Sequence, residues 1–230
     1  LHRKDLVGWN AGRIANPGCY ATGSQLGLAP LLPYMDATRL PSVFGVSGYS
    51  GAGTKPSPKN DPKFLADNLI PYAPVNHIHE REVGHSLTRI SGARDSPVMV
   101  QFTPHVASFF QGIGLTLHVP LRQSMTVGDV HEVFREFYNG ERLVHVTKDA
   151  PLVRDNAGKH YSVVGGFAVP PATGESASAS LAARRVVLNV TLDNLLKGAA
   201  TQAIQNMNIA VGIDEYTGIP TPEQPTMSQS

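Results

Sequence analysis

The chain holds 230 residues, 41% hydrophobic and 16% charged, the composition of an ordered globular protein with enough material for one large domain or two small ones. Lys and Arg number 19 against 18 Asp and Glu, a net charge of +1 with no basic block, which argues against nucleic acid or anionic membrane as a partner. The apolar runs fall short of the roughly 18 residues of a membrane span, and a single cysteine admits no internal disulfide, so the fold is expected to tolerate a reducing compartment.

The first residues, LHRKDLVGWNAGRI, have no apolar signal core, and a transit peptide is disfavoured by the lack of Ser and by Asp5. Opening at Leu1 without an initiator methionine, the chain reads as a fragment or a processed product. The first predicted helix follows Cys19, with Thr22 and Gln25 at capping-box spacing and Leu26, Leu28, Leu31 and Leu32 on its apolar face before Pro33 ends it. PSVFGVSGY (41–49) reads as a short buried strand running into a turn. Residues 47–76 are rich in Gly, Pro, Asn and Lys, with a short helical stretch at 62–69; so long a loop in a compact domain is usually functional or disordered. HIHEREVGHSLTRI (77–90) begins as a strand or turn and continues as a helix.

Val98, Val100 and Phe102 alternate, as do Ile113, Leu115, Leu117 and Val119, the pattern of half-buried strands. Thr126 is placed to cap a helix burying Val130, Val133, Phe134 and Phe137 and stopping near Gly140. Strands are predicted at 143–146, 163–169 and 186–192, the last two joined by PPATGESASASLAA, which reads as an exposed mobile loop. A final helix is predicted over 198–211, with a Pro-rich tail from Gly218. Four or five strands with helices on one side predict an α+β fold around a mixed or antiparallel sheet. No G-x-G-x-x-G opens a helix after a first strand, so the fingerprint of a dinucleotide-binding domain is missing from these residues.

Four segments carry chemistry. In ANPGCYATG (15–23), Cys19 stands just before a helix, among free N–H groups and the positive end of the dipole, which favour thiolate and can hold an oxyanion. A lone buried cysteine is the bland alternative. HIHEREVGH (77–85) offers His77 and His79 as proton-shuttling partners, on one face if the segment is extended. Glu82 or His85 could add metal ligands, yet no second H-x-H or C-x-x-C completes a set, so no metal is expected. SGYSGAGTKP (47–56) is a small-residue loop suited to an anion, with Lys55 adding charge, although a flexible linker explains it equally well. In DNLLKGAATQAIQN (193–206), Asn194 either caps the helix or holds an amide-bearing ligand, and the spacing favours the cap.

Read together and in order, ANPGCYATG, SGYSGAGTKPSPKNDPKF, PYAPVNHIHEREV, FTPHVASFFQGI and DNLLKGAATQAIQNMN resemble the N-acetyl-γ-glutamyl-phosphate reductase family of arginine biosynthesis. The likeness is greatest to the fungal form, made as part of a mitochondrial polyprotein with acetylglutamate kinase, and runs from about Arg13 to Ile219. The family's N-terminal part, with its NADP-binding glycines, has no counterpart in these residues. The resemblance implies Cys19 as nucleophile and His77, 58 residues on, as acid/base. It places Tyr72 near the active site, with a spacing to the histidine one residue shorter than in the family. Ser50, Gly51 and Gly53 match a loop facing the nicotinamide of NADPH, and Asn194 the group that holds its carboxamide. Ser47, His79 and Glu82 join Tyr72 as substrate-positioning groups.

The same resemblance implies a fold like the C-terminal catalytic domain of glyceraldehyde-3-phosphate dehydrogenase, a homo-oligomer, a place in the mitochondrial matrix, and acetylglutamate kinase as a partner. It divides the chain into a linker (1–15), a catalytic and oligomerisation domain (16–193), a helix packing on a nucleotide domain (194–217) and a tail (218–230). The implied reaction reduces N-acetyl-glutamyl 5-phosphate to the 5-semialdehyde through a Cys19 thioester. Two readings from other classes stand beside it: a non-catalytic oligomerisation or docking domain, and a cofactor-free cysteine hydrolase.

Overall fold

The computed structural model describes residues 1, 3–7, 12–92, 96–171, 181 and 183–221. Its frame is a seven-stranded sheet of β1 (Ser42–Gly48), β2 (Leu69–Pro71), β3 (Gln101–Ala107), β4 (Ile113–Pro120), β5 (Val144–Val146), β6 (Ser162–Ala168) and β7 (Arg185–Leu192), in the order β2-β3-β1-β4-β7-β6-β5. β1 with β3 and β5 with β6 pair in parallel, and the other neighbours are antiparallel. The α+β class and mixed sheet agree with the sequence pattern, while the strand count exceeds it. Edge strand β2, three residues long, is too short to show alternation. It also takes Leu69, the last residue assigned above to a helix, which ends as α3 at Pro62–Leu65.

On one face of the sheet lie α2 (Cys19–Leu28), α4 (Ile78–Ser91) and α5 (Val127–Phe137), after a first turn α1 (Arg3–Leu6). The core fills the space between: Tyr20, Leu28 and Leu87 from the helices meet Val43, Phe102, Leu115, Leu117, Leu188 and Val190 from the strands. The opposite face is barer. There Phe44 and His105 place their ring centroids 4.3 Å apart, Asn189 Nδ2 donates to Thr116 Oγ1, and the single turn α6 (Val153–Asn156) covers β7 through Asn156 and Thr191. The main helices thus lie on one face, as expected, with this single turn added on the other.

α2 departs most from its sequence reading. Gly18 is its N-cap, so Cys19 is the first helical residue, and Thr22 lies inside the helix with Oγ1 turned back to the Gly18 carbonyl at 3.2 Å. Gln25 accepts from Ser86 Oγ on α4, at 2.6 Å, instead of closing a capping box. Every residue from Tyr20 to Leu28 is buried, and Pro33 lies inside a continuing 3-10 helix, Ala29–Tyr34, that it was expected to block. The helix reaches the sheet because Gly23 and Gly27 face it. A Cβ on Gly27 would stand 2.6 Å from Leu117 and 3.0 Å from Val190.

α5 keeps its predicted capping box, Thr126 with Asp129; it buries Val130 and Phe134 while leaving Phe137 largely exposed. The expected single helix over 198–211 divides into a π-turn, Leu196–Ala200, and an α-helix, Thr201–Ala210. Most of the loop 170–183 and the tail beyond 221 lie outside the described residues, as does part of the linker 1–15. Replacing Gly27 by Val adds volume between fixed neighbours, and overpacking of this kind typically removes about 1–3 kcal/mol. Urea denaturation of Gly27→Val should show a lower midpoint with an unchanged slope.

Candidate active site

α2 delivers Cys19 to the floor of a cleft of about 270 Å³ lined also by Tyr20, Ser47, Gly51, Lys59, Tyr72, His77 and His79. Three chain segments meet there. The start of α2 brings the thiol, the end of β1 brings Ser47 and the small-residue turn after it, and the approach to α4 brings Tyr72 and the two histidines. A larger cavity of about 650 Å³ lies behind α2, under α1 and the terminal helix. It holds neither Cys19 nor a histidine, so the smaller cleft is where the thiol and the two histidines coincide. Within the larger one, Lys197 is buried with Nζ donating to Gln202 and Gln205, and burial lowers its pKa to about 8.

The histidines are not on a common strand face. His77 is the N-cap of α4, where its Nδ1 accepts the His79 N–H at 3.2 Å, and His79 stands in the first helical turn. A neutral ring whose Nδ1 accepts must carry its proton on Nε2. Burial lowers the pKa of both rings, His79 to about 4 with His77 as a second cause. Their centroids lie 4.7 Å apart, and Tyr72 meets His77 edge-on at 5.7 Å. His79 packs against the nucleophile turn itself: a Cβ on Gly18 would fall 2.1 Å from its Nε2.

The thiol is not the depressed one that a helix start suggests. Burial pushes Cys19 up from its ordinary value; the N–H groups of Tyr20 and of Cys19 itself pull it down by less, and Glu82 adds to the rise. Desolvation outweighs the dipole because α2 is sunk into the core. Glu82 faces the protein, with one oxygen accepting the Gly18 N–H at 2.8 Å and the other 3.8 Å from His79 Nε2.

The residues matched to a cofactor divide. Gly51 lines the cleft, where a Cβ would crowd Ser47 Oγ at 2.8 Å. Ser50, Gly53 and Asn194 stand outside that lining. Asn194 is buried and works inside the protein, accepting the Gly112 N–H at 2.6 Å and donating to Ser50 Oγ at 2.9 Å. Its expected capping role belongs to Asp193, which accepts the N–H groups of Leu195 and Leu196 and, through its other oxygen, Gly158 N–H and Gln111 Nε2. Lys55 is exposed on the loop, and Lys59 reaches the cleft instead, Nζ 4.6 Å from the Tyr72 ring centroid. Among the described residues no three His, Cys, Asp or Glu side chains are grouped as metal ligands.

The family profile described as semialdehyde dehydrogenase, dimerisation domain, matches residues 19–194. The chain belongs to that family. The mitochondrial protein arg-6 of Neurospora crassa is 52% identical over 221 residues, covering 96% of this chain and 23% of that protein. An N-acetyl-gamma-glutamyl-phosphate reductase of Stenotrophomonas maltophilia is 49% identical over 207 residues, 90% of this chain and 59% of that one. The chain thus spans about a quarter of the fungal relative and three-fifths of the bacterial one. Among solved structures, aspartate semialdehyde dehydrogenase II of Vibrio cholerae superposes with a TM-score of 0.66 at 21% identity, over 86% of this chain and 62% of that one. The semialdehyde dehydrogenase dimerisation fold is therefore shared at low identity.

An unfolded histidine binds its proton near 6.5, whereas His79 in the fold resists protonation until about 4. The His79 contribution to stability is intact above 6.5 and is lost as pH falls from 6.5 to 4, where only the unfolded state has charged. Unfolding free energies measured across that window should fall less steeply for His79→Gln than for the wild type.

Proposed function

We propose that this chain is the catalytic portion of an NADPH-dependent reductase that converts N-acetyl-glutamyl 5-phosphate to N-acetyl-glutamate 5-semialdehyde and phosphate through a thioester on Cys19. The observation that carries the reading is the single cysteine at the start of a wholly buried helix, on the floor of a cleft shared with two histidines and a tyrosine. The name of the bacterial relative supports the substrate.

Cys19 attacks the acyl carbon, a C–S bond forms, and the C–O bond to phosphate breaks with its electron pair leaving on phosphate. The thiol proton ends on that phosphate. Because His77 Nδ1 already accepts the His79 N–H, the ring has no free lone pair for that proton, so the thiol proton passes to the phosphate within the cleft and His77 serves as the acid through its Nε2–H. The N–H groups of Cys19 and Tyr20, which already stabilise the thiolate, face the developing oxyanion, and His77 donates its Nε2–H to the same oxygen. Ser47, Tyr72 and His79 shape the acyl chain's seat. Glu82 acts one step back, fixing the Gly18 turn.

Bare Gly51 in the cleft wall and the Nδ2 hydrogen that Asn194 keeps after bonding Ser50 fit the nicotinamide end of NADPH, with Ser50 and Gly53 completing the loop. When bound, NADPH supplies the hydride that reduces the thioester carbon. The rest of the cofactor would rest on a separate part such as the longer relatives have room for, with the terminal helix packing there through its exposed Ile204 and Met207. The family description supports a homo-oligomer, and the fungal relative's name supports a mitochondrial setting; acetylglutamate kinase as a partner is part of the same proposal.

Without cofactor, acyl phosphate should release one equivalent of phosphate per Cys19 and then stop; continuing turnover would mean a hydrolase, and no burst would mean no thioester. In a protein that also carries the cofactor-binding part, Cys19→Ser should abolish reduction. His77→Asn should lower kcat about 10²–10⁴-fold with a smaller effect on KM. A larger loss from His79→Asn than from His77→Asn would reverse the two assignments.

A further inference from the structure

The cleft has a charge pattern that the reading above does not use. Its lining contains no Asp or Glu, and both of its histidines are held below their ordinary pKa by burial, hence neutral near pH 7. One formally charged side chain remains, Lys59. Among the described residues no carboxylate comes within ion-pair distance of it; its Nζ rests over the face of Tyr72 at 4.6 Å from the centroid. A half-buried ammonium with a ring beneath it and no counter-ion is a binding site for an anionic group.

The loop is built to hold it there. Lys59 sits in the single 3-10 turn Pro58–Asn60, and Asn60 ties the segment on three sides. Its Oδ1 accepts the Ser57 N–H at 2.8 Å, while its Nδ2 donates to the carbonyls of Gly53 at 2.7 Å and Lys55 at 2.8 Å. These bonds close the stretch 53–60 into a compact knot, so the ammonium is carried to the cleft by a braced turn. Lys55, the cation that the loop's composition brings forward, lends only its backbone carbonyl to that knot.

We propose that Lys59 is the phosphate-binding group of the cleft: it holds the phosphoryl dianion of the acyl phosphate while Cys19 attacks and the inorganic phosphate as it departs. The proposal rests on the acyl-phosphate reading. A dianion gains more from a lone ammonium than a monoanionic carboxylate does, which assigns Lys59 to the phosphate end of the substrate in preference to its carboxylate end. The ammonium also stabilises the charge that accumulates on the leaving oxygen as the C–O bond breaks.

The test is protection of Cys19 in the 230-residue chain against iodoacetamide, a neutral reagent, by inorganic phosphate and separately by N-acetylglutamate, which carries only carboxylates. Lys59→Met should raise the phosphate concentration giving half-protection, each variant read against its own unprotected alkylation rate, about tenfold, the loss of one charge-assisted contact, with a much smaller change in half-protection by N-acetylglutamate. Lys63→Met, four residues along the same segment, should behave as wild type. Equal phosphate protection in Lys59→Met and wild type overturns the proposal, and so does a variant that loses N-acetylglutamate protection instead, since that moves Lys59 to the carboxylate end. If wild-type Cys19 resists iodoacetamide altogether, the thioester reading falls. Phosphorus NMR line broadening of inorganic phosphate then decides for Lys59 without the thiol: dependence on Lys59 supports it and independence overturns it.

Discussion

The site depends on α2 having no solvent face. A helix buried from its second residue to its last cannot tilt or slide without dragging side chains through a close-packed core. Gly23 and Gly27 let it lie against β4 and β7, and Leu115, Leu117, Leu192 and Val190 fill the space that two side chains would otherwise occupy. Tyr20, the residue after the nucleophile, is packed edge-on to Phe102 and hydrogen-bonds the His105 carbonyl through its hydroxyl at 2.6 Å. Cys19 is therefore located by the sheet as much as by its own turn. The same burial raises its pKa, so precise placement and a reluctant thiol have one physical origin.

Around that helix, three polar residues hold loops that the sheet does not reach. Glu82 joins α4 to the N-cap of α2 through the Gly18 N–H. Asp193 gathers Gln111, Gly158 and the first N–H groups of the π-turn, and Asn194 links Gly112 to Ser50. The π-turn then runs past Cys19 so closely that a Cβ on Gly198 would fall 2.7 Å from the Cys19 Cβ. Departures from regular helix of this kind often occur where a side chain must be accommodated at a functional site. Here the accommodated group is the Cys19 side chain.

Periodicity alone located most of the frame. The alternation of Ile113, Leu115, Leu117 and Val119 marks β4, and the Thr126–Asp129 spacing marks the start of α5, because each signal is local and strong. α2 was legible as a helix but not as a buried one. Its two glycines look like helix weaknesses until the facing strands are known, and Thr22 resembles a cap because the real N-cap, Gly18, has no side chain to announce it. Cys19 and the histidine pair could be named from their motifs. Which charged residue of the loop 47–64 enters the cleft could not, since Lys55, Lys59 and Lys63 are equivalent in composition. Asn60, through side-chain bonds to the backbone, selects Lys59.

These features define a resting state. Desolvation raises the thiol and lowers both imidazoles, so a cleft that could hold a thiolate and an imidazolium holds neither. An ion pair between Cys19 and His77 would stabilise the nucleophile in advance, and attack would then have to give that stabilisation back. On the proposed reading, an anionic substrate would supply the negative charge that the cleft lining lacks. Its phosphate would offset the lysine on arrival and take the thiol proton on leaving, so that bond formation at sulfur and charge transfer to phosphate would occur together.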